Sequence, residues 1–210
     1  MGTLPFADRN EAGTALAQKL QTYSSKKNVL ILSLVRGGVA VGAAMATALK
    51  LPLYPYVVRK LGHPHHREFG IGAVAEGGFT YLDDTTMHAH GVTWEEMEPV
   101  IEEEIRELDR RKEAYLIAAR PSLAGKTVIL TDDGAATGVT LFAAIEDLRK
   151  AKAKTIVVAL PVCPPDTAIL LAEKADELIT LATPEPFDAV GKWYRDFPPL
   201  EDQEVLKLLQ

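Results

Sequence analysis

The feature that most constrains this chain is its rhythm. Short apolar, β-branched runs alternate with alanine-rich or amphipathic stretches along most of its length. Val29-Leu-Ile-Leu-Ser-Leu34 has no charged residue and no alternation, which predicts a strand buried on both faces. Thr127–Thr131, Thr155–Pro161 and Glu177–Ala182 read as further strands. Helices are predicted over Val39–Leu49, Thr140–Lys150 and Asp166–Lys174. Strand followed by helix, repeated, is the pattern of α/β architecture.

The remaining segments are less regular. Asp8-Arg-Asn-Glu11 resembles a capping box, with Ala12, Leu16 and Leu20 following at helical spacing. Leu53–Val58 reads as a strand, but Pro52 and Pro55 make it a poor central one. Residues 59–70 carry histidines, glycines and charges without apolar periodicity and read as a long loop. Ile71–Ala75 and Phe79–Leu82, split by Glu76-Gly-Gly78, predict a hairpin. A long helix is expected from Thr93 to about Ala118, with Met97, Ile101, Ile105 and Leu108 on one stripe. Its start is ambiguous, because Thr93-Trp-Glu-Glu96 is a capping box while Pro99 suits a first turn. The tail holds Phe187, Trp193, Tyr194 and Phe197, then a small helix from about Glu201. With no repeat and no linker, residues 1–210 are expected to form one domain.

Charge and cysteine content narrow the function classes. With 23 basic and 29 acidic residues the net charge is −6, which argues against nucleic-acid or membrane partners. The single cysteine, Cys163, excludes an internal disulfide and a multi-cysteine zinc site. The longest near-apolar stretch is too short to span a bilayer, and the opening MGTLPFADRNEAG lacks the regions of a signal peptide. A cytoplasmic protein is expected.

The chemistry concentrates in Val128-Ile-Leu-Thr-Asp-Asp-Gly-Ala-Ala-Thr-Gly-Val-Thr140. A buried strand ends in two carboxylates, and a loop of small residues then opens a helix. Ligands bind where such loops leave the carboxyl edge of a parallel sheet. Gly134 and Gly138 let backbone N–H groups approach an anion, the helix N-terminus adds a positive dipole, and Thr137 and Thr140 can add hydroxyl donors. Asp132 and Asp133 would repel a bare phosphate, so they suit a diol or a hard cation such as Mg²⁺. Phosphate on one side and hydroxyls on the other describe a ribose 5-phosphate. A Walker loop is excluded by Val139 at its lysine position. No G-x-G-x-x-G string is present, and the acids of an aspartyl-phosphate phosphatase stand one residue further apart.

Residues 128–140 resemble the phosphoribosyl-pyrophosphate (PRPP) signature of the type I phosphoribosyltransferases. The resemblance extends to Leu34-Val-Arg-Gly-Gly38, which is similar to that family's pyrophosphate loop, with Arg36, Gly37 and Gly38 as its donors. It implies a parallel sheet flanked by helices, a small hood and a flexible catalytic loop. In such a fold residues 71–118 would be an insertion, and residues 183–210 would contribute to the hood. By the same resemblance Asp132 and Asp133 face the ribose hydroxyls and hold the metal, while Gly134, Ala135, Ala136, Thr137, Gly138 and Thr140 wrap the 5-phosphate. Arg59–Arg67 resembles the mobile loop, with Arg59 and Lys60 as catalytic cations against the departing pyrophosphate. Phe187–Phe197 resembles the hood of hypoxanthine-type members, which gives Phe187 and Trp193 as base-binding aromatics; one extra residue between Phe187 and Gly191 leaves open which of them stacks. A metal site from His63, His65 and His66 is a weaker alternative, since their spacing is irregular. The resemblance implies transfer of ribose 5-phosphate from PRPP to a nitrogenous base, with Mg²⁺ as cofactor. PRPP and a nucleobase-like acceptor would be the partners, and a homodimer is compatible with the family. A PRPP- or nucleotide-sensing regulator without turnover is the other reading.

Overall fold

The computed structural model describes residues 4–115 and 120–210. Its core is a parallel sheet of β1 (Val29–Leu34), β2 (Leu53–Tyr56), β6 (Thr127–Thr131), β7 (Thr155–Val162) and β8 (Glu177–Ala182), in the order β2-β1-β6-β7-β8. β1, β6 and β7 occupy the middle. Every residue of β1 and β6 is buried, Ser33, Thr127 and Thr131 included, as runs without a charge or an alternation lead one to expect. β2 lies at one edge, where Pro55 interrupts no pairing on its outer side.

Helices cover both faces. α1 (Arg9–Lys19) and α2 (Gly37–Leu49) pack on one, enclosing Leu16, Leu20, Met45 and Leu49 against Ile31, Ile129 and Val157. Asp8 caps α1 by accepting the Glu11 N–H at 2.8 Å. The two helices approach so closely at Gly13 that a Cβ there would lie 2.3 Å from the Val41 carbonyl oxygen. α5 (Val139–Lys150) and α6 (Pro165–Lys174) lie on the other face, where Leu141, Ile145 and Leu148 meet Leu30, Val128, Leu130 and Val158.

The chain between β2 and β6 builds a second layer. β3 (Val58–His63), β4 (His66–Ala75) and β5 (Thr80–Leu82) form an antiparallel sheet in that order. The expected hairpin between Ile71–Ala75 and Phe79–Leu82 is present as β4–β5. The segment read as a long loop, 59–70, is instead a ribbon of paired strands with register shifts at Leu61, Gly62 and His63. Residue 71, expected to open the insertion, falls inside β4; the second sheet begins at Val58. α3 (Asp84–His90), unassigned from sequence, is capped by Asp83, whose carboxylate accepts the Thr85 and Thr86 N–H groups. α4 (Trp94–Ala114) starts at the Thr93–Glu96 capping box, and Pro99 is carried inside it. The expected end of this helix near Ala118 lies outside the described residues. Val57, Leu61, Ile71, Val74, Met97, Val100 and Leu108 form the core under this layer, which Val39 of α2 and Val205 help to close.

A buried polar network joins the layers. The Asp147 carboxylate of α5 accepts from the Tyr56 hydroxyl and, at 3.0 and 3.3 Å, from the N–H groups of Gly77 and Phe79 in the β4–β5 turn. Glu76 accepts the Val57 N–H at 2.7 Å and pairs with Arg120. The C-terminal segment, with a 3₁₀ turn at Val190–Trp193 and α7 (Asp202–Leu208), folds back over the carboxyl edge of the main sheet. Phe6 and Tyr194 pair as a parallel bridge, with hydrogen bonds of 2.8 Å from Phe6 N–H to Trp193 O and from Arg195 N–H to Phe6 O.

Candidate functional site

A cavity of about 540 Å³ opens at the carboxyl ends of β1 and β6, under the hood and beside the β3–β4 ribbon. Residues 132–138 and Thr140 line its floor. Val58, Arg59 and Lys60 of β3, Arg111 of α4, Val35, and Val190 and Phe197 of the hood line its walls. Asp132, Asp133, Arg59, Lys60 and the small-residue loop, far apart in sequence, are thus brought to one space.

The loop after β6 is pinned from its neighbours. Ala135 N–H donates to Val162 O at 3.0 Å, and the Thr167 hydroxyl donates to Ala136 O at 2.6 Å. The Ala135 N–H is therefore already engaged, and this residue anchors the loop. Gly138 caps α5 at φ 75°, a left-handed conformation that costs a side-chain-bearing residue energy. The N–H groups that follow open α5, where the first turn of a helix has no internal acceptors and carries a positive dipole. Such a helix start suits an anion of phosphate size.

The acid pair is asymmetric. Asp132 Oδ1 accepts the Asp133 N–H at 2.8 Å. Burial, reinforced by the adjacent Asp133 charge, pushes the Asp132 carboxyl well above its ordinary range, against the hydrogen bond from the Asp133 N–H and a smaller pull from Lys60. Asp133 is also raised by burial, but Arg9 opposes the shift through a hydrogen bond and its charge. Arg9 Nε donates to Asp133 Oδ2 at 2.8 Å, and Arg9 itself is 7% exposed. Its NH1 donates to Pro198 O at 2.8 Å, and its guanidinium sits 3.7 Å from the centroid of Phe197. Arg9 went unnoticed in the sequence beyond its place in a capping box, because its partner lies 124 positions away.

Arg36, Gly37 and Gly38 sit behind the acids and outside the cavity lining. Arg36 caps α2, and its guanidinium lies 3.7 Å from both Glu201 and Asp202 at the start of α7. Gly37 and Gly38 are the first residues of α2; a Cβ on them would lie 1.9 Å from Asp133 Oδ2 and 2.8 Å from Asp132 Cα. Two glycines are needed there because the helix start is pressed against the acid pair.

On the ribbon, Arg59 Nε donates to Glu104 Oε2 of α4 at 2.7 Å, and its NH2 lies 2.7 Å from the same oxygen as an ion pair. Lys60 is exposed and its charge reaches Asp132. At the ribbon tip the rings of His65, His66 and His90 lie 5.9, 5.3 and 6.1 Å from that of His63. No group of three or more metal-capable side chains is found among the described residues. Phe187 and Trp193, 5.9 Å apart, pack with Phe6, Val162 and Tyr194 and do not line the cavity. The hood residues that do line it are Val190 and Phe197.

A five-stranded parallel sheet flanked by helices, with an acid pair and a small-residue cradle at its carboxyl edge, defines the class as the type I phosphoribosyltransferase fold. The family model described as "Phosphoribosyl transferase domain" matches residues 8–185, and the chain belongs to that family. A Mycobacterium tuberculosis protein named "Putative phosphoribosyl transferase" is 40% identical over 205 residues, covering 97% of this chain and 46% of that protein. The chain thus spans just under half the length of the curated relatives it matches. The crystal structure of TT1426 from Thermus thermophilus superposes with a TM-score of 0.80 at 33% identity, covering 98% of each chain. A hypoxanthine phosphoribosyltransferase from Staphylococcus aureus, 12% identical with a TM-score of 0.50 over 86% of this chain and 77% of that one, shares the fold. No helix among the described residues is long and apolar enough to cross a membrane.

Proposed function

We propose that the chain transfers ribose 5-phosphate from PRPP to a nitrogenous base, releasing pyrophosphate. The observation that carries this reading is the convergence of the β6 acids, the 134–140 cradle and the ribbon cations on one cavity. The cradle takes the 5-phosphate through the first-turn N–H groups of α5 and the hydroxyls of Thr137 and Thr140. Asp132, at the strand end, faces the ribose diol. The C1′–O bond to pyrophosphate breaks with its electron pair leaving on oxygen, and the acceptor nitrogen bonds C1′ and gives up its proton. Charge builds on the leaving group, so Lys60, and Arg59 once released from Glu104, stabilise the transition state more than the ground state. Arg36, once released from Glu201 and Asp202, would supply a further guanidinium at the pyrophosphate end. Hood and ribbon exclude water from an oxocarbenium-like centre that would otherwise hydrolyse.

The donor set fits Mg²⁺ with its substrate. A buried carboxylate held above its ordinary range, with no ion-pair partner among the described residues, is a group a divalent ion would satisfy. Mg²⁺ is commonly held by one or two carboxylates plus phosphate oxygens and waters. Asp132 would hold it, and the bound ion would neutralise pyrophosphate charge. The test is PRPP consumption with Mg²⁺ across a panel of nucleobases. Pyrophosphate released only when an acceptor is present supports transfer. Saturable PRPP binding without turnover on any acceptor selects the sensing reading, and ribose 5-phosphate released without acceptor selects hydrolysis.

A further inference from the structure

Arg9 touches three things that the proposed reaction must keep in register, and this inference rests on that reading. Its Nε holds the Asp133 carboxylate, its NH1 holds the Pro198 carbonyl, and its guanidinium plane covers Phe197. Tyr194 stacks on Phe197 with centroids 4.9 Å apart and an interplanar angle of 26°. Two groups this close to one ring centroid cannot share a face, so both faces of Phe197 are occupied and the cavity meets its edge. Tyr194 also donates its hydroxyl to the Asp133 carbonyl oxygen at 2.6 Å. The hood is thereby fastened twice to the same residue of the loop after β6, directly at its backbone and through Arg9 at its side chain. The nearly buried guanidinium keeps the planar fork and the ring contact that a lysine cannot reproduce.

We propose that Arg9 is the positioning residue that joins the ribose subsite to the acceptor subsite. It fixes the Asp133 carboxylate against the start of α2 and at the same time sets the height of the 194–198 segment over the cavity. The acceptor is then held against the edge of Phe197 and Val190 rather than stacked on an open aromatic face. Occupation of the ribose site is felt in the hood through Arg9, and this couples PRPP binding to the geometry offered to the acceptor.

The experiment uses the whole chain as wild type, Arg9→Met and Arg9→Lys. Inorganic phosphate and PRPP with Mg²⁺ are titrated calorimetrically, and amide exchange is followed in residues 190–198. The wild type should bind both ligands and slow exchange in the hood when PRPP is added. Arg9→Met should bind phosphate as the wild type does, weaken PRPP about tenfold, and lose the PRPP-dependent protection of the hood. Arg9→Lys keeps a charge beside Asp133 but cannot also reach Pro198 and cover Phe197. It should regain most of the PRPP affinity without regaining the hood protection, a separation that a merely structural role would not produce. Wild-type PRPP affinity and hood protection in Arg9→Met overturn the proposal. So does a parallel loss of phosphate and PRPP binding in both variants, which marks a general loss of fold. A wild-type chain that binds phosphate but not PRPP overturns the phosphoribosyl reading itself, before any variant is measured.

Discussion

Replacing Asp132 by Asn should make the protein more stable and less able to bind PRPP. The carboxylate is buried, lies beside the Asp133 charge, and is opposed only by the Asp133 N–H and the distant Lys60 charge. Asn keeps an oxygen to accept that N–H and removes the charge that burial penalises. Relieving one poorly compensated buried charge is worth about 1–2 kcal/mol. For a domain of this size that corresponds to a rise of roughly 2–8 °C in Tm. The sign depends on pH. The folded-state value of Asp132 lies above its unfolded value, so the native state holds the proton more tightly. Its contribution is complete below the ordinary carboxylate range and is lost as pH rises through the raised value. The variant has no such proton, so its advantage should be small in acid and widest at neutral to alkaline pH. PRPP affinity with Mg²⁺ should fall by ~10- to ~100-fold, or about 1.4–2.7 kcal/mol. Scanning calorimetry across pH, paired with PRPP titration, reads both effects. A fall in Tm at neutral pH, or unchanged PRPP affinity, would refute the reasoning.

Arg36→Ala should weaken PRPP by about 2 kcal/mol and leave ribose 5-phosphate nearly unaffected, since only PRPP carries the group this guanidinium meets; titration of both ligands checks it. Glu104→Gln should free Arg59 from its ion pair and tighten PRPP by roughly two- to fivefold, whereas Arg59→Ala should weaken it; equal effects of the two substitutions would exclude a competition between Glu104 and pyrophosphate. Gly13→Ala should cost about 1–3 kcal/mol in urea denaturation, because the added methyl meets the Val41 carbonyl, while phosphate binding of the folded protein stays the same. Amide exchange should find Leu61 and Ile71–Ala75 protected without ligand and residues 63–70 slowed only when PRPP is added.

What the sequence disclosed follows from how local each signal is. β1 and β6 could be read because six and five consecutive buried residues leave a run without a charge and without alternation. The Thr93 capping box placed the start of α4 more reliably than Pro99 did, since the box satisfies backbone donors that the proline does not contact. The ribbon hid because five consecutive residues, His66–Gly70, are exposed on both faces, which erases the period-two pattern of a strand. At the site, Asp132, Asp133 and the cradle were legible as one contiguous string at a strand end. The division of labour between the two acids was not, because it depends on Arg9 and on glycines pressed in from α2. Phe187 and Trp193 stood out as aromatic, but aromatic character alone does not distinguish a residue that packs against Phe6 from one that reaches the cavity.

The chain leaves the main sheet after β2 and returns to it only at β6, where Val29 pairs with Thr127. Between them lie β3, β4 and β5, whose hairpins pair close neighbours in sequence; Leu61, Ile71 and Val74 pack with α4, while Val58, Ala73 and Ala75 join the core of the main sheet. Loop closure is cheap for the second layer and expensive for the central pair of the sheet. The ribbon layer should therefore gain structure early in refolding, and the β1–β6 pairing should set the rate. Asp132 and Asp133 stand just beyond the end of β6, so the proposed phosphate-binding edge is completed only after that barrier is crossed. A ligand that binds only this edge should slow unfolding and leave the refolding rate unchanged.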